Sequence, residues 1–226
     1  VGLRRTDNFG TYVHLDRDVG SWVVSGAQKT RLEAYRWWFP VVGTVPYKGY
    51  FALPLADKES ARLSVRGYDT TVGGVAAYST LGWFADPIFS TFLRYPETEI
   101  PELILHELTH ATLFLKGEVD FDEGFATFVG NTAGVDFLER RFGPGDRRVR
   151  EARGRIADDV AFGAFIEKVA RRLETLYERR LPERETLARR ENIFREEKRA
   201  FEELRNGFST RLYDGFARRE WNNAVI

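Results

Sequence analysis

The sequence predicts an α+β fold, with a small strand-rich N-terminal part and a helical C-terminal half. Three observations carry this. Short β-prone runs separated by Asp and Gly occupy residues 1–78. Apolar residues recur at helical spacing in the remainder, residues 79–226. Gly and Pro punctuate the chain where elements should end, at Gly67, Gly117, Gly143-Pro144-Gly145 and Pro182.

Taken in order, Gly10–Leu15 and Ser21–Ser25 read as strands. Trp37–Gly43 and Pro46–Phe51 read as a buried, turning segment. Leu55–Arg66 reads as a helix closed by Gly67. Tyr68–Tyr78 reads as a strand carrying Gly73 and Gly74, and glycine within a strand often marks a bulge or a close backbone approach. At Thr98-Glu99-Ile100-Pro101-Glu102 a capping hydroxyl, a first-turn Pro and well-placed acids announce a helix over about 99–116. A second follows over about 121–142, starting near Asp120. From residue 147 to about 215, Ile156, Val160, Phe165, Val169, Leu173, Leu176 and Leu181, then Leu187, Phe194, Phe201, Leu204 and Phe208, form an apolar stripe broken at Pro182. The spacing predicts two long helices packed as a hairpin, with the Arg and Glu runs as solvated faces.

Composition narrows the class. The chain has 226 residues, 43% apolar and 14% aromatic, which suits a single domain with a real core and argues against disorder. Thirty-four acidic and 34 basic side chains balance, so no overall field steers the protein to nucleic acid or an anionic membrane. No basic patch interleaved with aromatics is present, and no nucleic-acid partner is expected. Cysteine is absent, which excludes disulfides and thiolate metal sites; any metal must be held by His and carboxylates. Methionine is absent too and the chain opens at Val1, so the natural N-terminus, with any signal or lipid anchor, is expected upstream. No apolar run approaches the ~20 residues that span a bilayer.

The chemistry concentrates in His106-Glu107-Leu108-Thr109-His110, an HExxH motif within a predicted helix. Histidines four apart project from one face about one turn from each other and can grip one ion. Glu107, beside the first ligand, can take a proton from metal-bound water without itself binding the metal. A neutral imidazole pair suits zinc, which needs a third protein ligand and one open position. The motif uses two of the three histidines in the chain.

The third ligand separates the subclasses. A metzincin would continue HExxHxxGxxH, but Leu113 and Lys116 stand at those positions. The alternative is a glutamate from the next helix, and Glu123 in Phe121–Phe128 is the best placed. From His110 the first helix runs on by ~7.5 Å before a turn, and an antiparallel second helix brings Glu123 back to that level. Asp120-x-x-Glu123 also fits a capping box, and Asp120 or Asp122 are alternative ligands. The expectation is one Zn²⁺ per chain held by His106, His110 and Glu123, with Glu107 as catalytic base.

With these residues in view, the chain resembles the bacterial predicted-aminopeptidase family of gluzincin-like proteins. The resemblance runs through Phe39–Gly43, Tyr47–Phe51, Ala77–Trp83, Asp86-Pro87, the HELTH block, Phe121–Val129 and Trp221–Ala224. It implies a zincin-like metallopeptidase fold, a peptide substrate, and the metal and base roles of His106, Glu107, His110 and Glu123. It also implies an envelope location in Gram-negative bacteria, periplasmic and often lipid-anchored. One departure is Asp122, where many gluzincins carry Asn before the ligand glutamate.

Gluzincins usually set an edge strand upstream of HExxH to pair with the substrate backbone, and Gly73–Tyr78 fits that place. Gly74, Val75, Ala76 and Tyr78 are therefore candidate substrate-binding residues, and Asn222 and Asn223 join them by resemblance. Tyr78 is a candidate oxyanion stabiliser, though a packed tyrosine fits it better. Tyr177 is expected to pack along the helical stripe and His14 to be an ordinary, partly exposed histidine. Thr109 and Thr127 are candidate donors behind the metal ligands.

The function expected is a zinc-dependent peptidase, with an aminopeptidase as the family's form of it. Two alternatives stand beside it: another zinc amide hydrolase acting on cell-wall peptides, and a non-enzymatic helical scaffold with a vestigial zinc site.

Overall fold

Strand β2 (Ser21–Gln28) alternates buried and half-buried positions, with Val24 fully buried, as the central strand of a small sheet should. In the computed structural model, which describes residues 2–40, 43–75 and 85–226, β2 lies between β5 (Tyr47–Tyr50) and β6 (Tyr68–Val75). The other strands are short. β1 (Tyr12–Val13) pairs in parallel with β7 (Ile88–Phe89), Tyr12 opposite Ile88, and β3 (Trp37–Phe39) pairs with β4 (Gly43–Val45). Helices α1 (Leu53–Val65), α2 (Ile100–Thr112), α3 (Val119–Phe142), α4 (Arg147–Glu178), α5 (Glu183–Arg205) and α6 (Asp214–Arg218) complete the α+β architecture that the sequence predicts.

The chain divides into two compact units. The first comprises Val1–Trp22, Trp38–Val45 and Gly74–Arg153. Its helical part is α2 and α3, followed by the start of α4, where Val149 and Ala152 pack with Leu138 of α3. Phe92, fully buried in the 3-10 turn Ser90–Arg94, meets Phe9 and Phe89 at ring separations of 6.0 and 6.2 Å.

The second unit comprises Val23–Trp37, Pro46–Gly73 and Gly154–Ile226. Here α1 starts with Pro54 in its first turn and ends where Gly67 turns to φ +88°, a conformation that glycine adopts without steric cost. Gly26 of β2 lets the helix come close, since a Cβ there would lie 3.1 Å from Leu63 Cδ1. The α4–α5 hairpin encloses the main apolar cluster of the unit. Phe165, Val169 and Leu173 face Phe194 and Phe201, and Ala217 of α6 and Trp221 close over them. Mutually tilted rings, such as Phe201 and Phe216 at 5.1 Å, add to the burial.

Several sequence expectations are corrected. α2 ends at Thr112, with Leu113 already extended, rather than near residue 116. Thr98 does not cap it: the N-cap residue is Glu99, which makes no side-chain cap hydrogen bond. Val160, expected in the stripe, is exposed. The charged faces of the hairpin are not wholly solvated, because Arg190 and Glu197 lie on the buried line Thr186–Arg190–Phe194–Glu197–Phe201 of α5.

Both buried charges are matched. Glu197 accepts from Lys168 Nζ at 2.9 Å and pairs with Arg172, whose guanidinium helps hold its carboxyl below the usual range against the cost of burial. Arg190 Nη1 donates to Asp69 Oδ2 on β6 at 2.6 Å and to the Lys29 carbonyl at 3.0 Å. Asn223 joins this clamp, its amide N donating to Asp69 Oδ2 at 3.0 Å and its Nδ2 to the carbonyls of Gln28 and Arg31. Tyr177 donates its hydroxyl to Asn223 Oδ1 at 2.7 Å. Burial pushes the Tyr177 phenol up to about 12, so it remains a donor throughout the physiological range.

Removing one partner from a buried ion pair strands the other charge, which costs about 3–5 kcal/mol. Arg190 would keep its second, more exposed partner Glu191 at 2.9 Å, so Asp69→Ala should destabilise the protein by the lower part of that range, about 3 kcal/mol, read as a lower urea midpoint at unchanged slope.

Candidate metal centre

α2 presents His106 and His110 one turn apart, as i,i+4 spacing requires. Their rings sit 4.8 Å apart and nearly perpendicular, and the two Nε2 atoms are separated by 3.1 Å. Glu123, in the first turns of α3, directs Oε2 to within 3.4 Å of His106 Nε2 and 3.7 Å of His110 Nε2. The three residues form a group that could hold a metal ion.

The donor set fits zinc in kind and in spacing. Bonds of ~2.0–2.1 Å at tetrahedral angles put neighbouring ligand atoms roughly 3.3–3.4 Å apart. The separations of 3.1, 3.4 and 3.7 Å scatter about that value. Exposure is graded across the group, with His110 at 5%, His106 at 21% and Glu123 at 46% of side-chain surface. His110 forms the floor of the group and Glu123 stands toward solvent. Nδ1 of His110 is buried and makes no hydrogen bond among the described residues.

Charge ties the cluster together without metal. The nearby imidazoles of His106 and then His110 hold the Glu123 carboxyl down to about 2, against the opposing effect of burial. Burial alone would lower His110, but the close Glu123 carboxylate and the charges of Glu107 and Asp122 outweigh that and raise it. Glu107 is half-buried on α2 beside His106, within electrostatic reach of His110.

Close helix packing makes this geometry possible. A Cβ on Gly130 of α3 would lie 2.9 Å from the Glu102 carbonyl oxygen and 3.2 Å from His106 Cβ. One on Gly134 would lie 3.2 Å from Glu102 Cα. The two helices run antiparallel, since Glu123 meets the histidines while Gly134 meets Glu102. Sequence reading missed both glycines, although their four-residue spacing inside a predicted helix was the available signal.

The remaining candidates fall as follows. Asp122 is not among the grouped ligands; its carboxylate accepts from the Leu115 amide. The capping box is not formed, because the N-cap of α3 is Glu118 without a side-chain cap and the Glu123 carboxylate reaches the histidines instead. Thr109 is buried and donates its hydroxyl to the Leu105 carbonyl of its own helix at 2.7 Å, and Thr127 is exposed. His14 is exposed, with Asp16 at 3.6 Å. Asn222 and Asn223 belong to the second compact unit, where Asn222 Nδ2 donates to the Thr70 carbonyl at 3.1 Å and Asn223 completes the Asp69–Arg190 clamp. Ala76 and Tyr78 lie outside the described residues.

Gly74 and Val75 end β6, an edge strand among the described residues. The Val75 carbonyl accepts from Gly20 N at 2.9 Å and so faces β2. Gly74, next along the strand, turns its amide and carbonyl the opposite way. A Cβ on Gly74 would lie 3.0 Å from Val19 Cγ1, a tight contact in which the valine side chain would have to give.

Two predictions follow from the packing and the charge. Gly130→Ala should destabilise the protein by about 1–3 kcal/mol, because backbone must move to admit the methyl. Gly124→Ala, on the same helix with nothing within 4 Å, should instead stabilise it by about 0.5–1 kcal/mol, and urea titration reads both signs. In metal-free protein the depressed Glu123 contributes stability that is present above its ordinary value of 4.5 and lost as pH falls toward about 2. The raised His110 contributes stability present below 6.5 and lost as pH rises through its folded value. The stability difference between metal-free wild type and Glu123→Gln should therefore be greatest between pH 4.5 and 6.5.

A family model described as "Putative aminopeptidase" matches residues 1–226. No curated protein and no solved structure matches the chain. With the match extending over every residue, the chain belongs to this aminopeptidase family, and membership implies a peptidase acting on peptide substrates.

Proposed function

We propose that the protein is a zinc-dependent peptidase whose metal is held by His106, His110 and Glu123 and whose base is Glu107. The observation that carries this reading is the tetrahedral spacing of the three ligand atoms, with Glu107 adjacent to the first ligand on the same helix. Bound zinc would polarise the scissile carbonyl and make water a stronger acid at neutral pH.

The protein's own groups supply the rest. Glu107 takes a proton from the attacking water as the tetrahedral carbon forms. It returns that proton to the departing amine as the C–N bond breaks, so the same carboxyl ends the cycle ionised. Glu123 and the buried His110 hold the donor set fixed, so no reorganisation is needed during the reaction.

Substrate backbone is proposed to pair with the outward amide and carbonyl of Gly74 on the β6 edge. An extended peptide added there would gain main-chain hydrogen bonds without requiring a particular side chain. Asp69, the carboxylate on β6, is bonded to Arg190 and Asn223 and is not available to hold a free amine. Selectivity for an N-terminal residue must then come from another group. An envelope location belongs to the same proposal and rests on the family resemblance; among the described residues no helix is long and apolar enough to cross a membrane.

Glu107→Gln should retain about one zinc per chain and the wild-type circular dichroism while losing about 10²–10⁴-fold in peptide hydrolysis. Elemental analysis and a peptide-substrate panel test it together. Turnover close to wild type in the zinc-loaded variant would remove Glu107 from its role.

A further inference from the structure

We infer that Asp122 is a positioning residue for the metal centre, acting on Glu123 through the turn between α2 and α3; the inference rests on the proposed ligand set. Asp122 is one of the most buried acids in the chain, at 4% exposure, in the first turn of α3. Both of its carboxylate oxygens accept from the Leu115 amide, at 3.0 and 3.2 Å. Leu115 lies in the extended connection that leaves α2 after Thr112. The bond therefore pins the middle of the turn to the start of the next helix.

The rest of the turn is closed by backbone bonds on either side of that clamp. Leu113 N donates to the Thr109 carbonyl at 2.9 Å, ending α2. Glu118 N donates to the Leu115 carbonyl at 3.0 Å, and Asp122 N to the Glu118 carbonyl at 2.9 Å, starting α3. Gly117, at φ +91°, allows the chain to reverse between them. Leu115 thus takes part through both its carbonyl and its amide, and only the amide bond depends on a side chain.

The adjacent residue carries the consequence. Glu123 must project its carboxylate across to both histidines, and its place is set by where α3 begins relative to the end of α2. Gly130 and Gly134 set the separation of the two helices. Asp122 sets their relation along the axis, at the end where the ligands converge. A carboxylate also suits this place chemically, because it offers only acceptors to the amide donor of the turn. Asn at this position would keep one acceptor, whereas Ala would keep none.

Loss of groups that orient a metal ligand typically costs 10–100-fold in metal affinity. In chelator-competition titrations with zinc, Asp122→Ala should therefore bind 10–100-fold more weakly than wild type, and Asp122→Asn within about threefold. Each titration is run at a temperature where circular dichroism shows the variant folded, so that global stability does not enter. A zinc Kd unchanged in folded Asp122→Ala, with wild type binding one zinc, would overturn the positioning role and leave the ligand set standing. Wild type that binds no zinc would overturn both.

Amide exchange in metal-free wild type supplies a test that needs no variant. The Leu115 amide should exchange at least tenfold more slowly than an unstructured amide, as expected for a turn clamped before metal arrives. Exchange at the unstructured rate would overturn the inference even if Asp122→Ala fails to fold.

Discussion

The close antiparallel contact of α2 and α3 is the constraint on which the site depends. Neither helix alone offers more than two ligands, and the third is useful only if α3 approaches α2 almost backbone to backbone. Gly130 against the Glu102 carbonyl makes that approach possible, and the cost is a helix with glycine in its interior. Glycine weakens a helix by about 0.5–1 kcal/mol relative to alanine, so its presence there is tolerated for the contact rather than for the helix. The same packing buries Ala126, Gly130, Ala133 and Gly134, a line of small residues where a core helix would ordinarily place large ones.

Buried charge is handled in two ways. In the second unit Arg190 and Asp69 are both almost fully buried and satisfy each other, with Asn223 and the Lys29 carbonyl filling further bonds. That arrangement is closed and has no reason to bind anything more. The His106–His110–Glu123 group differs: three donor atoms converge on one point, and exposure rises from floor to mouth. Two imidazoles with Nε2 atoms in contact can share at most one proton in their neutral forms, so the cluster holds acceptor capacity that a cation would satisfy.

How much of this was legible in the sequence depends on the range of the interaction. HExxH is local, and helical periodicity alone places both histidines on one face. Glu123 was within reach of argument because a short turn leaves a second helix little freedom in where it begins. The spacing of Gly130 and Gly134 marks a close approach but not its partner, since the role of each is defined by an atom on another helix. Arg190 and Glu197 were read as solvated because charge on a periodic helix usually is, and their partners, Asp69 and Lys168, lie far away in the chain. Asp120-x-x-Glu123 shows the converse: a local pattern indicated a cap, and a nonlocal attraction to two imidazoles took the side chain elsewhere. The α+β class survived these errors because it rests on pattern summed over whole segments.

The helical register explains how Glu107 can share α2 with both histidines and yet stand apart from them. A residue next in sequence to a ligand is turned about 100° around the helix axis, which carries it off the metal-facing line while keeping it within one residue's rise. Glu107 therefore stays close enough to His110 for its charge to be felt there, yet outside the group whose atoms converge. Glu123 lacks that offset and points at both imidazoles. Two glutamates of identical chemistry are thus presented differently by the angles of their helices: Glu123 converges with the imidazoles and Glu107 lies off that line, the division that the proposed hydrolytic reading requires of its ligand and its base.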